Sequence, residues 1–187
     1  MKNLVKISFI ASLLFASSIN AHERAFVGVE GGYEFFNQGP ALGAKGGYSF
    51  GDFRVYGAYD YTRFEEKDYS NNKISTEVKA TTRNLYIGLD TTPEIADNLK
   101  AVFGSYMGYG QSKAKVQGFV NNKSLVGLVN SESLWLVGTK LGLEYIVADH
   151  HGIETGLKYD LIKIYDQNGD HAKFRMVKQY LGYSFYF

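Results

Sequence analysis

The sequence predicts an all-β fold, an eight-stranded antiparallel up-and-down transmembrane β-barrel with two long extracellular hairpins. Three observations carry this. The final stretch, Lys173 to Phe187 (KFRMVKQYLGYSFYF), alternates apolar and polar side chains and stops on an aromatic. From Ala25 onward the chain divides into eight segments of the same period-two pattern, separated by turn signals. The connections between those segments alternate short and long, as hairpins at the two ends of an up-and-down barrel do.

The chain opens with Lys2 and Lys6, an apolar run from Ile7 to Ala16, and then Ser17, Ser18, Ile19, Asn20 and Ala21. This is the layout of a secretory signal peptide, residues 1–21, cleaved to leave a mature domain 22–187 that begins at His22. Its apolar run is shorter than the roughly 20 residues a membrane helix needs, and no other window is long enough. With no cysteines, disulfide and thiolate chemistry are excluded. Twenty Lys and Arg against nineteen Asp and Glu leave no basic field, which argues against nucleic acid as a partner. Gly 21, Tyr 15 and Phe 13 against Pro 2 suit sheet.

Taken in order, strand one (Ala25 to Phe36) sets Val27, Val29, Tyr33 and Phe35 against Glu30, Gly32 and Glu34. After Asn37, Gln38, Gly39 and Pro40, strand two (Ala41 to Phe50) sets Leu42, Ala44, Tyr48 and Phe50 against Lys45. Strand three, from Phe53, sets Val55, Tyr59 and Tyr61 against Arg54, Tyr56 and Asp60. The intervening Gly51-Asp52 is a two-residue turn, which fixes register: Phe50 pairs with Phe53, Tyr48 with Val55, Ala44 with Tyr59 and Lys45 with Ala58, each on its proper face. Strand four (Thr81 to Asp90) sets Leu85, Ile87 and Leu89 against Asn84, Tyr86 and Asp90. Strand five, from Leu99, sets Phe103, Met107 and Tyr109 against Lys100, Gly104 and Tyr106.

Strand six (Leu134 to Ile146) sets Trp135, Val137, Leu141, Leu143 and Tyr145 against Lys140 and Glu144, with Leu134 and Leu136 breaking the polar face. Strand seven (Gly152 to Tyr165) sets Ile153, Leu157, Tyr159 and Leu161 against Glu154, Lys158 and Asp160. Strand eight sets Val177, Leu181, Tyr183, Phe185 and Phe187 against Lys178 and Tyr180. Two long connections share the tripeptide Asn-Asn-Lys, at 71–73 and 121–123. Three-residue tips there would place Tyr109 opposite Trp135, Phe103 opposite Leu141 and Lys100 opposite Glu144, and two-stranded ribbons would project beyond the bilayer. An added strand pair over Lys115 to Val129, making ten strands, is the alternative.

A soluble barrel also alternates, with its apolar face inward. The inverted arrangement is favoured by the amino-terminal signal, the aromatic terminus, and a girdle of aromatics near strand ends: Phe35, Tyr48, Phe50, Phe53, Tyr61, Tyr109, Trp135 and Tyr145. Hydrocarbon cannot satisfy an open sheet edge, so the sheet must close.

The ending, with Leu181, Tyr183, Phe185 and Phe187, resembles the terminal strand of Gram-negative outer-membrane barrels, and the mature chain resembles the small OmpA/OmpX type without a peptidoglycan-binding domain. The resemblance implies residence in the cell outer membrane with both termini periplasmic. It also implies contact with membrane lipid and lipopolysaccharide, and delivery by periplasmic chaperones and the barrel-assembly machinery, with the terminal strand as assembly signal.

The polar face predicts an internal ion-pair network of Glu30, Glu34, Lys45, Arg54, Asp60, Asp90, Lys100, Lys140, Glu144, Glu154, Lys158, Asp160 and Lys178. A four-residue turn pairing Phe36 with Ala41 would put Lys45 opposite Gly32. Eight strands leave an interior only wide enough for side chains, so the network reads as a structural plug. The alternative is an ion-pair gate in a narrow, porin-like channel. A lipid-A-modifying enzyme is the competing class, yet no histidine sits inside a strand beside a serine or acid: His22, His150, His151 and His171 fall at the terminus, in a turn and in a loop. No catalytic residue, metal ligand set or cofactor is expected. The hairpins, one charged (Glu65, Glu66, Lys67, Asp68) and one apolar between Val116 and Val129, read as a contact surface for a host or envelope protein, the alternative being a structural role in which the apolar ribbon packs on its neighbour or on lipopolysaccharide.

Overall fold

Leu85, Tyr86 and Ile87 are 68%, 4% and 66% exposed, and that swing between consecutive residues is the rule on which the molecule is built. Extended backbone sends successive side chains to opposite faces. Here the apolar set faces out and the polar set faces in. The computed structural model describes residues 23–35, 39–71, 74–120, 123–165 and 171–187, with side chains described except over 65–78, 116–130, 165 and 171. The predicted signal peptide, Phe36 and the side chains of Glu65 to Asp68 lie outside the described residues.

Among the described residues nine strands form: β1 (Glu23–Glu34), β2 (Gly39–Phe50), β3 (Phe53–Asn71), β4 (Ile74–Thr91), β5 (Glu94–Ala96), β6 (Leu99–Val120), β7 (Lys123–Val147), β8 (His151–Tyr165) and β9 (His171–Tyr186). All pairings are antiparallel, and β4 pairs with β6 while β1 pairs with β9, so eight strands close a barrel. The ninth, β5, is a short segment folded onto the start of β6 inside the connection from β4. Closure ends at the carboxyl terminus itself, where Phe187 N donates to the carbonyl of Ala25 at 2.9 Å.

The Gly51-Asp52 turn gives the predicted register, with Phe50 on Phe53 and Lys45 on Ala58. Gly51 has φ of 60°, as the first position of a type II′ hairpin requires. The β1–β2 hairpin differs from expectation. Glu34 pairs with Gly39, which slides the register by four residues and sets Lys45 opposite Gly28 rather than Gly32. An even slip preserves every face, so alternation could not detect it.

The long hairpins also differ. Asn71 pairs with Ile74 and Val120 with Lys123, so each tip has two residues, and an irregularity nearby restores the lower register. Tyr109 then meets Trp135 and Lys100 meets Glu144. Instead of two separate ribbons there is one blade: β4 and β6 stay paired from Thr91 and Phe103 to Ile74 and Val120. The alternative of two further strands between 115 and 129 is replaced by unbroken extension of β6 and β7.

Inside, glycines make room for tyrosines across the strand. Tyr56 faces Gly88, Tyr86 faces Gly108 and Tyr106 faces Gly138, and the three rings contact in series. A Cβ at Gly138 would collide with the Tyr106 ring and with Asp160. Gly138→Ala is therefore expected to destabilise the barrel by about 1–3 kcal/mol, read as a lower urea midpoint in lipid vesicles. An unchanged midpoint would count against this packing.

Candidate functional site: the lumen and the hairpin end

Inward-facing positions bring two charge clusters and one apolar cup into the lumen. The first cluster, nearer the end with the short turns, centres on Arg54, 1% exposed. Its guanidinium reaches Asp90, Glu144 and Glu154, each at 2.9 Å, and donates to the Tyr186 hydroxyl at 3.0 Å. Glu154 also takes Lys45 at 2.8 Å, Lys140 at 3.0 Å and the Tyr180 hydroxyl at 2.7 Å. Lys140 bridges back to Asp90 at 2.8 Å and lies over the Tyr56 ring. Three cations thus meet three carboxylates, drawn from strands β2, β3, β4, β7 and β8. In a dry interior such charges persist only when paired and hydrogen-bonded.

The second cluster lies toward the hairpins. Lys158 holds Glu30 and donates to the Tyr86 hydroxyl, which donates in turn to Asp60 at 3.1 Å. Lys178 pairs with Asp160 at 2.9 Å, and the Tyr106 hydroxyl donates to the same carboxylate. Glu34 is fully buried in register with Lys178. Lys45, which the four-residue turn would have set opposite Gly32, lies opposite Gly28 and reaches across the lumen to Glu154. Lys100 stands apart. It lies at the mouth, half-buried beside Glu94 and Asn98, and among the described residues it makes no ion pair. Its cross-strand neighbour Glu144 is 1% exposed and is taken by Arg54 instead.

Above the second cluster the inner face turns apolar. Leu134, Ile162, Ile164, Phe174 and Met176, from β7, β8 and β9, face Thr62, Thr82, Asn84 and Ser112 from β3, β4 and β6 across a cup of about 250 Å³. Leu134 and Leu136, which looked like faults in an alternating strand, belong to this inner layer and are 1% exposed. The signal was present in sequence: Ile162, Ile164 and Met176 continue the inward parity of Lys158, Asp160 and Lys178 but change its chemistry.

The outward face carries the aromatics. Phe35, Tyr48, Phe50, Tyr109, Trp135 and Tyr145 are exposed, Phe53 and Tyr61 are half-buried, and Tyr109 packs edge-on to Trp135. On the terminal strand Leu181, Tyr183 and Phe187 are exposed, and Phe185 packs edge-on to Phe187. His151 bonds the Tyr183 hydroxyl at 2.6 Å, and His150 contacts Phe185. Among the described residues no group of three metal-ligating side chains occurs.

A barrel with a polar inside and an apolar outside is a membrane barrel, and comparison with known proteins gives its lineage. The family model described as Helicobacter outer membrane protein matches residues 28–187. The chain belongs to that family. It is an outer-membrane β-barrel protein.

Among solved structures, it resembles Ail, the attachment invasion locus protein of Yersinia pestis, at 16% identity and TM-score 0.52, covering 90% of this chain and 100% of that one. It resembles a major outer membrane protein from Thermus thermophilus at 11% identity and TM-score 0.55, covering 89% and 100%. Neisserial surface protein A matches at 18% identity and TM-score 0.49, covering 88% and 96%. At these identities the likeness is one of fold. A comparison with curated proteins finds no match.

Proposed function

We propose that this outer-membrane barrel is a surface-contact protein: its lumen is closed by the two charge clusters, and its working part is the blade formed by the long hairpins. The observation that carries this is the union of β3, β4, β6 and β7 into one four-stranded sheet rising past the rest of the barrel. β2 leaves β3 at Thr62, and β8 leaves β7 at Ser133. Beyond those points, among the described residues, the backbone of Phe64 to Asn71 and of Lys123 to Glu132 has a strand on one side only. Such edges offer unpaired amides and carbonyls to another chain, the mode by which a partner adds a strand.

The blade is extracellular in this reading, and both termini are periplasmic after removal of residues 1–21. Charge supports the orientation. At the hairpin rim the outward face carries Arg63, Arg83, Lys113, Lys173 and Arg175 and, among the described residues, no carboxylate. Phosphate is concentrated in the outer leaflet. The terminal aromatic strand is the segment offered to the assembly machinery.

Deleting residues 117–129 tests the proposal. It leaves Lys115 and Val116 as a two-residue turn between Ala114 and Asn130, which are already cross-strand partners. The expected result is a barrel that still migrates as a folded, heat-modifiable species but loses saturable adhesion of the bacterium to host cells or matrix. Adhesion unchanged in that variant would remove the blade from the account.

The competing reading is a narrow gated channel. Against it stands the pairing of Arg54 with three carboxylates in a barrel of eight strands, a diameter that side chains fill. Catalysis has no supporting arrangement among the described residues, since the strand-borne His151 faces outward into Tyr183 and Phe185.

A further inference from the structure

Phe174 points into the barrel and is nonetheless 50% exposed. It stands in the wall of the cup with Leu134, Ile162, Ile164 and Met176, so β7, β8 and β9 line one side of a cavity of about 250 Å³ with apolar side chains. The opposite wall, from β3, β4 and β6, is largely polar. Two of its buried atoms have no hydrogen-bond partner among the described residues: Asn84 Oδ1, on a residue 2% exposed, and Thr62 Oγ1, on one 6% exposed. Buried oxygens are almost always paired, and one left alone costs its desolvation. Asn84 Oδ1 can only accept a hydrogen bond, whereas the Thr62 hydroxyl can donate or accept.

Size and charge narrow what fits. At about 30 Å³ for each water-sized group, the cup takes roughly eight to ten heavy atoms. Beneath it Lys178 pairs with Asp160 at 2.9 Å, and Lys158 holds Glu30. An anionic head would have to displace one of those carboxylates, and a cationic head one of the lysines. A neutral hydroxyl displaces neither. Phe174 is the one aromatic among the five apolar residues above, so no pair of rings forms a slot for a flat ligand.

We propose that the cup is a binding site for a small neutral amphiphile, an aliphatic alcohol of about eight carbons, whose chain lies on the apolar wall and whose hydroxyl donates to Asn84 Oδ1 and accepts from Thr62 Oγ1. Rotation about one side-chain bond turns either group to the cavity. The paired layers beneath make the cup blind, so the alcohol is held and not passed through the barrel. The residues that define the site all lie outside 117–129, and the inference stands whether or not the blade takes a partner.

Beyond residue 21 the chain has two methionines, Met107 on the lipid-facing surface, 56% exposed, and Met176 in the cup. With both labelled at the methyl carbon, NMR of the barrel in lipid nanodiscs separates the cup from the bilayer in one spectrum. Titration with octanol should shift the Met176 methyl along a saturating curve, while Met107 reports only partition into lipid. Methyl heptyl ether, an isomer with no donor, should bind about tenfold more weakly, and octanoate and octylamine should also bind more weakly than the alcohol. Asn84→Leu, which keeps the volume and removes the acceptor, should weaken octanol by about tenfold and leave the ether unchanged. Should that variant not fold, Ala80→Phe, which fills the cup from its wall, should abolish the saturating shift while Met107 still moves. A Met176 shift that only tracks Met107 overturns the proposal. Equal binding of alcohol and ether, octanol binding unchanged in a folded variant, or tighter binding of either charged head overturns it as well.

Discussion

Replacing Arg54 by alanine is expected to lower the stability of the folded barrel by about 3–5 kcal/mol, the cost of stranding buried partners of a removed charge. Asp90 and Glu154 would keep Lys140, with Lys45 and the Tyr180 hydroxyl also on Glu154, while Glu144 would keep the Tyr186 hydroxyl and lose the cation that faces it. Asp90 and Glu144 are each 1% exposed, so water cannot replace the lost donors without prying strands apart. Tyr186→Phe is the matched control. It removes one hydroxyl between Arg54 and Glu144 and should cost only about 1 kcal/mol. The single tryptophan, Trp135, is 56% exposed on the outer face and reports unfolding from lipid vesicles by its fluorescence. Equal urea midpoints for Arg54→Ala and wild type would show that the cluster adds nothing to stability.

Ile87→Arg carries the second large expectation. Ile87 lies midway along the outward face of β4, 66% exposed to whatever surrounds the barrel. In hydrocarbon an arginine there costs about 2–4 kcal/mol, and the cost fades toward the interfaces. In water the same change would cost little. Moving the substitution to Thr91, at the short-turn end of β4 between Phe53 and Phe103, should therefore be almost neutral. A gradient from Thr91 to Ile87 in vesicle unfolding is the expected outcome, and no gradient would contradict a lipid-facing outer surface.

Much of this architecture was legible because a barrel with two different solvents has only one bit to encode at each position. Val55, Leu85 and Val137 declare the outside, while Arg54, Asn84 and Lys140 declare the inside. Parity is blind to even slips, so it could not place Lys45 opposite Gly28, nor foresee that Lys45 would cross the lumen to Glu154. Contacts across the lumen depend on strand stagger and on which long side chains can extend, and neither is local in sequence. The cup was hidden for another reason. Ile162 and Met176 look like ordinary strand residues until their parity is tied to that of Asp160 and Lys178, where the chain turns a wet face dry. The blade was hidden because pairing of β4 with β6 joins segments of two different hairpins, which a hairpin-by-hairpin reading treats separately.

A closed lumen, with function at the surface, leaves ions no path through the barrel. Single-channel recording of the refolded mature barrel in a planar bilayer tests it most directly, with heat-modifiable migration confirming insertion in the folded state. Silence over sustained recording is expected for the wild type and for Lys45→Ala alike, because Arg54 and Lys140 still hold Glu154. Stable openings in the wild type that change in size or frequency on Lys45→Ala would contradict it, and would make the clusters a gate.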